Sequence, residues 1–104
     1  LFLKTKNSYD PLETFHGQHI VLSVAAAKYL VDIGTETLGY DYQTFEQDGG
    51  NDVHRVFLSE SVTLLDNLRL AETKAKEYML MCLPIKVTGI DAAPARALLF
   101  DLNS

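Results

Sequence analysis

Three histidines, fourteen acidic side chains and one cysteine are the groups from which this chain could build a chemical site. His16 and His19 stand three apart in His16-Gly17-Gln18-His19, a spacing at which two imidazoles could touch one cation. The segment is rich in turn residues, and solvated loop histidines are the simpler reading. His54 lies in Val53-His54-Arg55-Val56-Phe57-Leu58 and Asp66 in Leu64-Leu65-Asp66-Asn67-Leu68. Local sequence alone favours a partly buried surface histidine and a carboxylate capping the turn at Asn67. Asp41 closes the strand-like run Thr37-Leu38-Gly39-Tyr40, and functional groups of α/β folds gather at strand ends. A loop-capping carboxylate is the plainer alternative. Asp91 and Arg96 flank Ala92-Ala93-Pro94, either as an ion pair stapling a hairpin or with the arginine near a substrate pocket. Cys82 sits in the apolar run Met79-Leu80-Met81-Cys82-Leu83 and reads as a buried, inert thiol. A reactive thiolate needs a polar, electropositive setting.

These groups must be held by elements whose pattern alternates strand and helix. Leu1 to Thr5 reads as a strand entering a polar loop with turn chemistry at Asn7-Ser8, Asp10-Pro11 and His16-Gly17. Leu22, Ala25, Ala26, Tyr29, Leu30 and Ile33 fall at the spacing of one apolar helix face, with Ser23 as N-cap and Gly34 just past the end. A short strand to Tyr40 follows, then a polar loop turning at Gln47 to Asn51. A short helix over Asp52 to Leu58 is capped by Asn51 or Asp52. Val62 to Leu65 reads as a strand, Leu70 to Lys76 as a helical turn, and Glu77 to Val87 as a long strand. Pro84 marks that last strand as an edge or a bulge. Ala95 to Leu102 is the final strand. The class is α/β. The strands are expected to join in one mixed sheet, with the helix from Val24 to Ile33 on one face.

At 104 residues, 47% hydrophobic and 22% charged, the chain reads as one globular domain or half-domain spanning 1–104. Its net charge of −5 and scattered basic residues exclude a nucleic-acid groove. No run approaches the ~20 apolar residues of a membrane span. The lone cysteine excludes an internal disulfide and a cysteine zinc site, and fits a cytoplasmic location. The chain opens on an apolar run without methionine, as if it begins inside a larger fold. The Glu72 to Glu77 run is a solvated face.

Three segments carry a resemblance. One is Leu22 to Leu30 followed by Leu38-Gly39-Tyr40-Asp41. The second is Val53 to Leu58 through Leu64-Leu65-Asp66-Asn67-Leu68. The third is Leu83-Pro84-Ile85-Lys86-Val87-Thr88-Gly89-Ile90-Asp91-Ala92-Ala93-Pro94-Ala95-Arg96. In that order, over roughly residues 20 to 102, they resemble the C-terminal half of cyclase-family metal-dependent hydrolases, a family that includes bacterial kynurenine formamidase. The resemblance implies the second half of the swivelling β/β/α cyclase fold. It implies hydrolysis of a non-peptide C–N bond, such as an aryl formamide, by metal-activated water. It places His54 and Asp66 at metal-ligand positions, and Asp41 and Arg96 on the substrate side. The family's metal is a divalent cation, usually zinc, held largely by an N-terminal motif that this chain lacks. The chain alone is therefore expected to bind no metal and to be inactive. The family has glutamate at position 66 and glycine at position 92. The aspartate is shorter by about 1.5 Å, and Ala92 is expected to alter its turn. A small amide is the expected substrate and a second copy of the chain the expected partner, in a homodimer joined through Leu1 to Thr5 or Glu77 to Val87. The alternative is a non-catalytic, degenerate relative that self-associates.

Overall fold

The computed structural model describes residues 1–9, 19–47 and 49–103. The calls on Asp10-Pro11 and His16 therefore lie outside the described residues. Strands β1 (Phe2–Leu3), β2 (Thr37–Tyr40) and β3 (Thr63–Leu65), with helices α1 (Val24–Asp32) and α2 (Asp52–Ser59), lie in one compact unit, Leu1–Thr73. Strands β4 (Tyr78–Pro84) and β5 (Ala95–Asp101) form the other, Lys74–Ser104.

In the first unit β1 pairs with β2 and β2 with β3, all parallel, in the order β1-β2-β3. Each parallel step is bridged by a helix, α1 for the first and α2 for the second. Crossovers of one hand between consecutive neighbours put both helices on the same face of the sheet, and α1 packs against α2 accordingly. Ala27, Leu38, Tyr40, Phe45, Val53, Phe57 and Val62 make the core, with Leu3, Leu30, Val31 and Leu64 packed around it.

Helix α1 begins as the sequence indicates, with the Ser23 hydroxyl accepting from the Ala26 amide at 3.0 Å. It ends before Gly34, whose φ of +91° suits glycine. The buried face differs from the expected one. Ala27 is fully enclosed and Leu30 and Val31 are partly so, whereas Tyr29 and Ile33 are exposed. The helix sequence Val-Ala-Ala-Ala-Lys-Tyr-Leu-Val-Asp is apolar nearly all round, so its periodicity does not single out one stripe.

Gly39, in the middle strand, is demanded by packing. A β-carbon there would lie 2.5 Å from Phe2 Cδ1 and 2.6 Å from Leu68 Cδ1. Gly39→Ala is expected to cost about 2 kcal/mol by overpacking, read as a lower urea midpoint. A change under about 0.5 kcal/mol, the usual range of inert surface substitutions, would remove this account of the glycine.

The segment from Leu70 to Lys76 is turns and bends, not the expected helical turn. The five expected strands are present, with both parallel and antiparallel pairing, but they fall into two sheets instead of one. The second is the antiparallel hairpin β4–β5, running in register from Tyr78↔Asp101 to Pro84↔Ala95. Pro84 sits in its last pair, where a missing N–H costs the ladder least. The positive-φ residue of the connection is Gly89 (+82°), not Ala92. The alanine therefore imposes no left-handed strain. Lys76 and Asp101 form an ion pair that ties the open end of the hairpin. Cys82, expected to be buried, is only half-buried, and Met79, Leu80, Met81 and Leu83 beside it are exposed. A two-stranded ribbon has no second layer of its own with which to enclose a side chain.

Candidate functional site

Parallel strands end on one side of a sheet, and ligand sites of α/β folds form there. β1 leads to Thr5, β2 to Asp41 and β3 to Asp66. The helix that follows β2 starts at the same end, so the first turn of α2 brings His54 there too. This topology joins residues 54 and 66 across a whole helix and strand.

Asp41 is 2% exposed and engaged at both oxygens. Oδ2 accepts from the Thr5 amide at 2.6 Å and the Ser8 hydroxyl at 2.5 Å, and Oδ1 from the Thr5 hydroxyl at 2.9 Å. Ser8 Oγ in turn accepts from the Leu70 amide at 3.3 Å. Asp41 thus fastens the 3-10 turn Lys6–Tyr9 and the start of the 70s loop to the end of β2. Any substrate-side role would come in addition to that work.

His54 has a less settled environment. Its side chain is 29% exposed, and its ring lies against Phe45, with centroids 4.5 Å apart. Nδ1 is sealed from solvent and has no hydrogen-bond partner, although Glu46 Oε1 stands 3.5 Å away. Glu46 is 5% exposed. Its Oε1 also accepts from the Val53 amide at 2.5 Å and the His54 amide at 2.9 Å. It therefore caps α2 from outside the helix. Asn51, at the N-cap position, makes no side-chain cap bond, contrary to the expectation that Asn51 or Asp52 would serve.

Asp66 follows β3 and keeps solvent access as a residue. Loss of water around its carboxyl nevertheless pushes its pKa above the usual carboxylate value, and the nearby His54 charge pulls the other way. Tyr40 stands within electrostatic reach of both Asp66 and Glu46. Burial drives its phenol well above the ordinary range, with the Asp66 and Glu46 charges adding to the effect. His54, Asp66, Glu46 and Tyr40 therefore share one electrostatic neighbourhood, floored by Phe45. A shallow, open depression lined by Asn51, His54, Arg55, Leu58 and Ser59 runs alongside.

The sequence singled out His54 and Asp66 but missed Tyr40 and Glu46. Glu46 gives no signal on the helix it caps, because it sits five residues before Asn51. His19 also differs from expectation. It is buried, 3.0 Å from the Glu46 carbonyl through Nε2, and stacked on Tyr42 at 4.4 Å between centroids. Arg96 is exposed on β5, opposite Leu83, in the second unit. Among the described residues no ion pair joins it to Asp91.

Whether a cation fits can be judged from these donors. A sealed, unpartnered ring nitrogen beside a carboxylate and a partly desolvated second carboxyl suit a positive charge. Among the described residues, however, no three His, Cys, Asp or Glu side chains gather as a metal site. The chain carries part of a donor set, since zinc takes three or four protein ligands. The raised pKa of Asp66 gives a sign to test. The folded chain holds this proton more tightly than the unfolded one, so the stability it contributes is complete below the unfolded pKa of ~3.9. That contribution is lost as pH rises through the higher folded value. Asp66→Asn is thus expected to stabilise the metal-free chain at neutral pH, by only about a few tenths of a kcal/mol because water still reaches the group. Urea midpoints should show the gain at pH 7 and its disappearance toward pH 3. A loss at pH 7 would reverse the reading.

No family model matches the chain. It is 32% identical to kynurenine formamidase of Delftia acidovorans over 77 residues, covering 72% of this chain and 37% of that protein. It is 27% identical to kynurenine formamidase of Salinibacter ruber over 103 residues, covering 97% of this chain and 49% of that protein. Among solved structures it superposes on a potential metal-dependent hydrolase with cyclase activity at a TM-score of 0.85 and 35% identity, covering 94% of this chain and 48% of that one. A predicted metal-dependent hydrolase from Bacillus stearothermophilus matches with the same TM-score and identity, over 47% of its length. The chain spans half or less of the length of the relatives it matches. Among the described residues no helix is long and apolar enough to cross a membrane. In sequence and in fold the chain is a relative of the cyclase-family metal-dependent hydrolases, kynurenine formamidase-like, over about half the length of such a protein.

Proposed function

We propose that this chain supplies one side of the active site of a cytoplasmic metal-dependent hydrolase that cleaves a non-peptide C–N bond, an aryl formamide being the model substrate. The reading is supported best by the placement of His54 and Asp66 at the same end of the parallel sheet, where the His54 charge lowers a carboxyl pKa that burial raises. They would hold a divalent cation, zinc in the first instance, together with donors from outside the described residues. The cation would supply Lewis-acid activation of water and of the amide carbonyl. The chain's own residues set the surroundings. The Phe45 ring limits water on one side of the imidazole. Tyr40 keeps its proton at any physiological pH, so its hydroxyl can act as a donor and not as a base. Asp66 and Glu46 keep the neighbourhood negative, which favours a cation over a bound anion. The test is metal content and aryl formamide hydrolysis by the complete protein that carries this sequence. Bound metal, with turnover abolished by a chelator, supports the proposal. No metal above trace and no turnover would end it.

The alternative, a non-catalytic relative that self-associates, draws on a different feature. β4–β5 leaves Met79, Leu80, Met81, Leu83 and Phe100 exposed, and β1 is an open sheet edge. Apolar, unpaired edges invite another copy. A homodimer burying β1 or β4 is expected in sedimentation equilibrium, and Leu83→Lys should weaken it. A monomer at high concentration would remove this surface from consideration.

A further inference from the structure

The unexplained feature of the site is the buried Nδ1 of His54, sealed from solvent and without a hydrogen bond, 3.5 Å from Glu46 Oε1. We propose that Glu46 is the positioning residue of His54: it draws the ring proton to Nδ1 and thereby leaves Nε2, the nitrogen turned away from Glu46, with its lone pair free for a cation. The proposal rests on the reading of His54 as a metal ligand and adds a residue which that reading does not contain.

Three constraints converge on this geometry. Glu46 is fixed, since its Oε1 accepts both the Val53 and the His54 amides. Its backbone is anchored from both sides, by the amide to Thr44 Oγ1 at 3.0 Å and by the carbonyl to His19 Nε2 at 3.0 Å. The imidazole is held from rotating away by Phe45, one residue before Glu46. One carboxylate thus sets both the start of α2 and the side chain that its first turn presents. A neutral imidazole has one donor and one acceptor nitrogen, and the partner of the first decides the role of the second. A carboxylate 3.5 Å from Nδ1 favours the proton on that nitrogen through its charge, without a hydrogen bond. A related arrangement orients histidine ligands of metals generally, since the ring N–H that is not at the metal is given to a carboxylate or carbonyl.

The test reads the tautomer directly, in the metal-free chain, by two-bond ¹H–¹⁵N correlation of the His54 ring, at a pH where the ring nitrogen shifts themselves show the neutral form. In the wild type the proton is expected on Nδ1. Glu46→Gln keeps an oxygen to cap α2 but loses the charge. Because the negative charge that favours Nδ1–H is removed, the Nδ1–H to Nε2–H ratio should fall about fivefold. Protection of the Val53 amide, followed in the same samples, reports whether α2 is still capped. A purely structural role for Glu46 would leave the ratio unchanged in Glu46→Gln with α2 intact, and that result overturns the proposal. So does a wild-type ring protonated on Nε2. The metal reading is decided separately, by metal content of the complete protein. If the tautomer is as expected and that protein holds no metal, the cation reading falls and the Glu46 assignment stands.

Discussion

Asp41→Ala is expected to cost roughly 4 kcal/mol, a large share of the stability that a chain of this size possesses. The carboxylate receives the Thr5 amide, the Thr5 hydroxyl and the Ser8 hydroxyl, and Ser8 is fully buried. Alanine would leave these donors buried without an acceptor, each costing about 1–3 kcal/mol in lost hydration. The damage should be regional before it is global. The turn Lys6–Tyr9 and the Leu70 amide hang on the same network, so exchange protection should vanish there first. Asp41→Asn, which can keep one acceptor and offers donors to donors, should fall between wild type and alanine. Urea unfolding followed by circular dichroism gives the number. A loss below about 1 kcal/mol for Asp41→Ala, no more than an average point substitution, would mean that the latch does not hold the fold, and would return Asp41 to consideration as a substrate-side group.

The second large effect belongs to His54. In the complete protein, His54→Ala is expected to reduce metal affinity by at least about 100-fold, since loss of a residue that only supports a ligand already costs 10–100-fold. Hydrolysis should fall in parallel. Stability of the metal-free chain should change little by comparison, because the ring is partly exposed and its Nδ1 makes no hydrogen bond. Competition for zinc against a colorimetric chelator, run beside urea unfolding, separates the two. Unchanged affinity with lowered stability would make His54 a packing residue on Phe45 and nothing more.

The helices and strands could be read from the sequence because their punctuation is local. Ser23 and Gly34 bound α1 by rules that act within one turn, and Tyr40-Asp41 and Asp66-Asn67 end their strands with residues that favour turns. The proposal of His54 and Asp66 as ligands comes only through a family resemblance, since nothing in twelve residues of local sequence links them. The crossover by α2 from β2 to β3 puts both at the same end of the sheet. The cap by Glu46 could not be read because it reaches across a loop to a helix starting six residues later, whereas capping rules look at the adjacent residue. Nor could the burial of His19, because its partners Tyr42 and the Glu46 carbonyl are distant in sequence. The split of the strands into two sheets is likewise a tertiary fact. An apolar strand such as Met79 to Leu83 has the same composition whether it lies inside a sheet or in an exposed hairpin.

The most direct measurement is an anomalous-difference map from crystals of the complete protein grown with zinc. The account predicts one peak at ordinary zinc distances, about 2.0–2.2 Å, from both His54 Nε2 and an Asp66 carboxylate oxygen, with Glu46 on the Nδ1 side of the ring. A zinc peak that touches neither residue, in a protein that hydrolyses the amide, would contradict it.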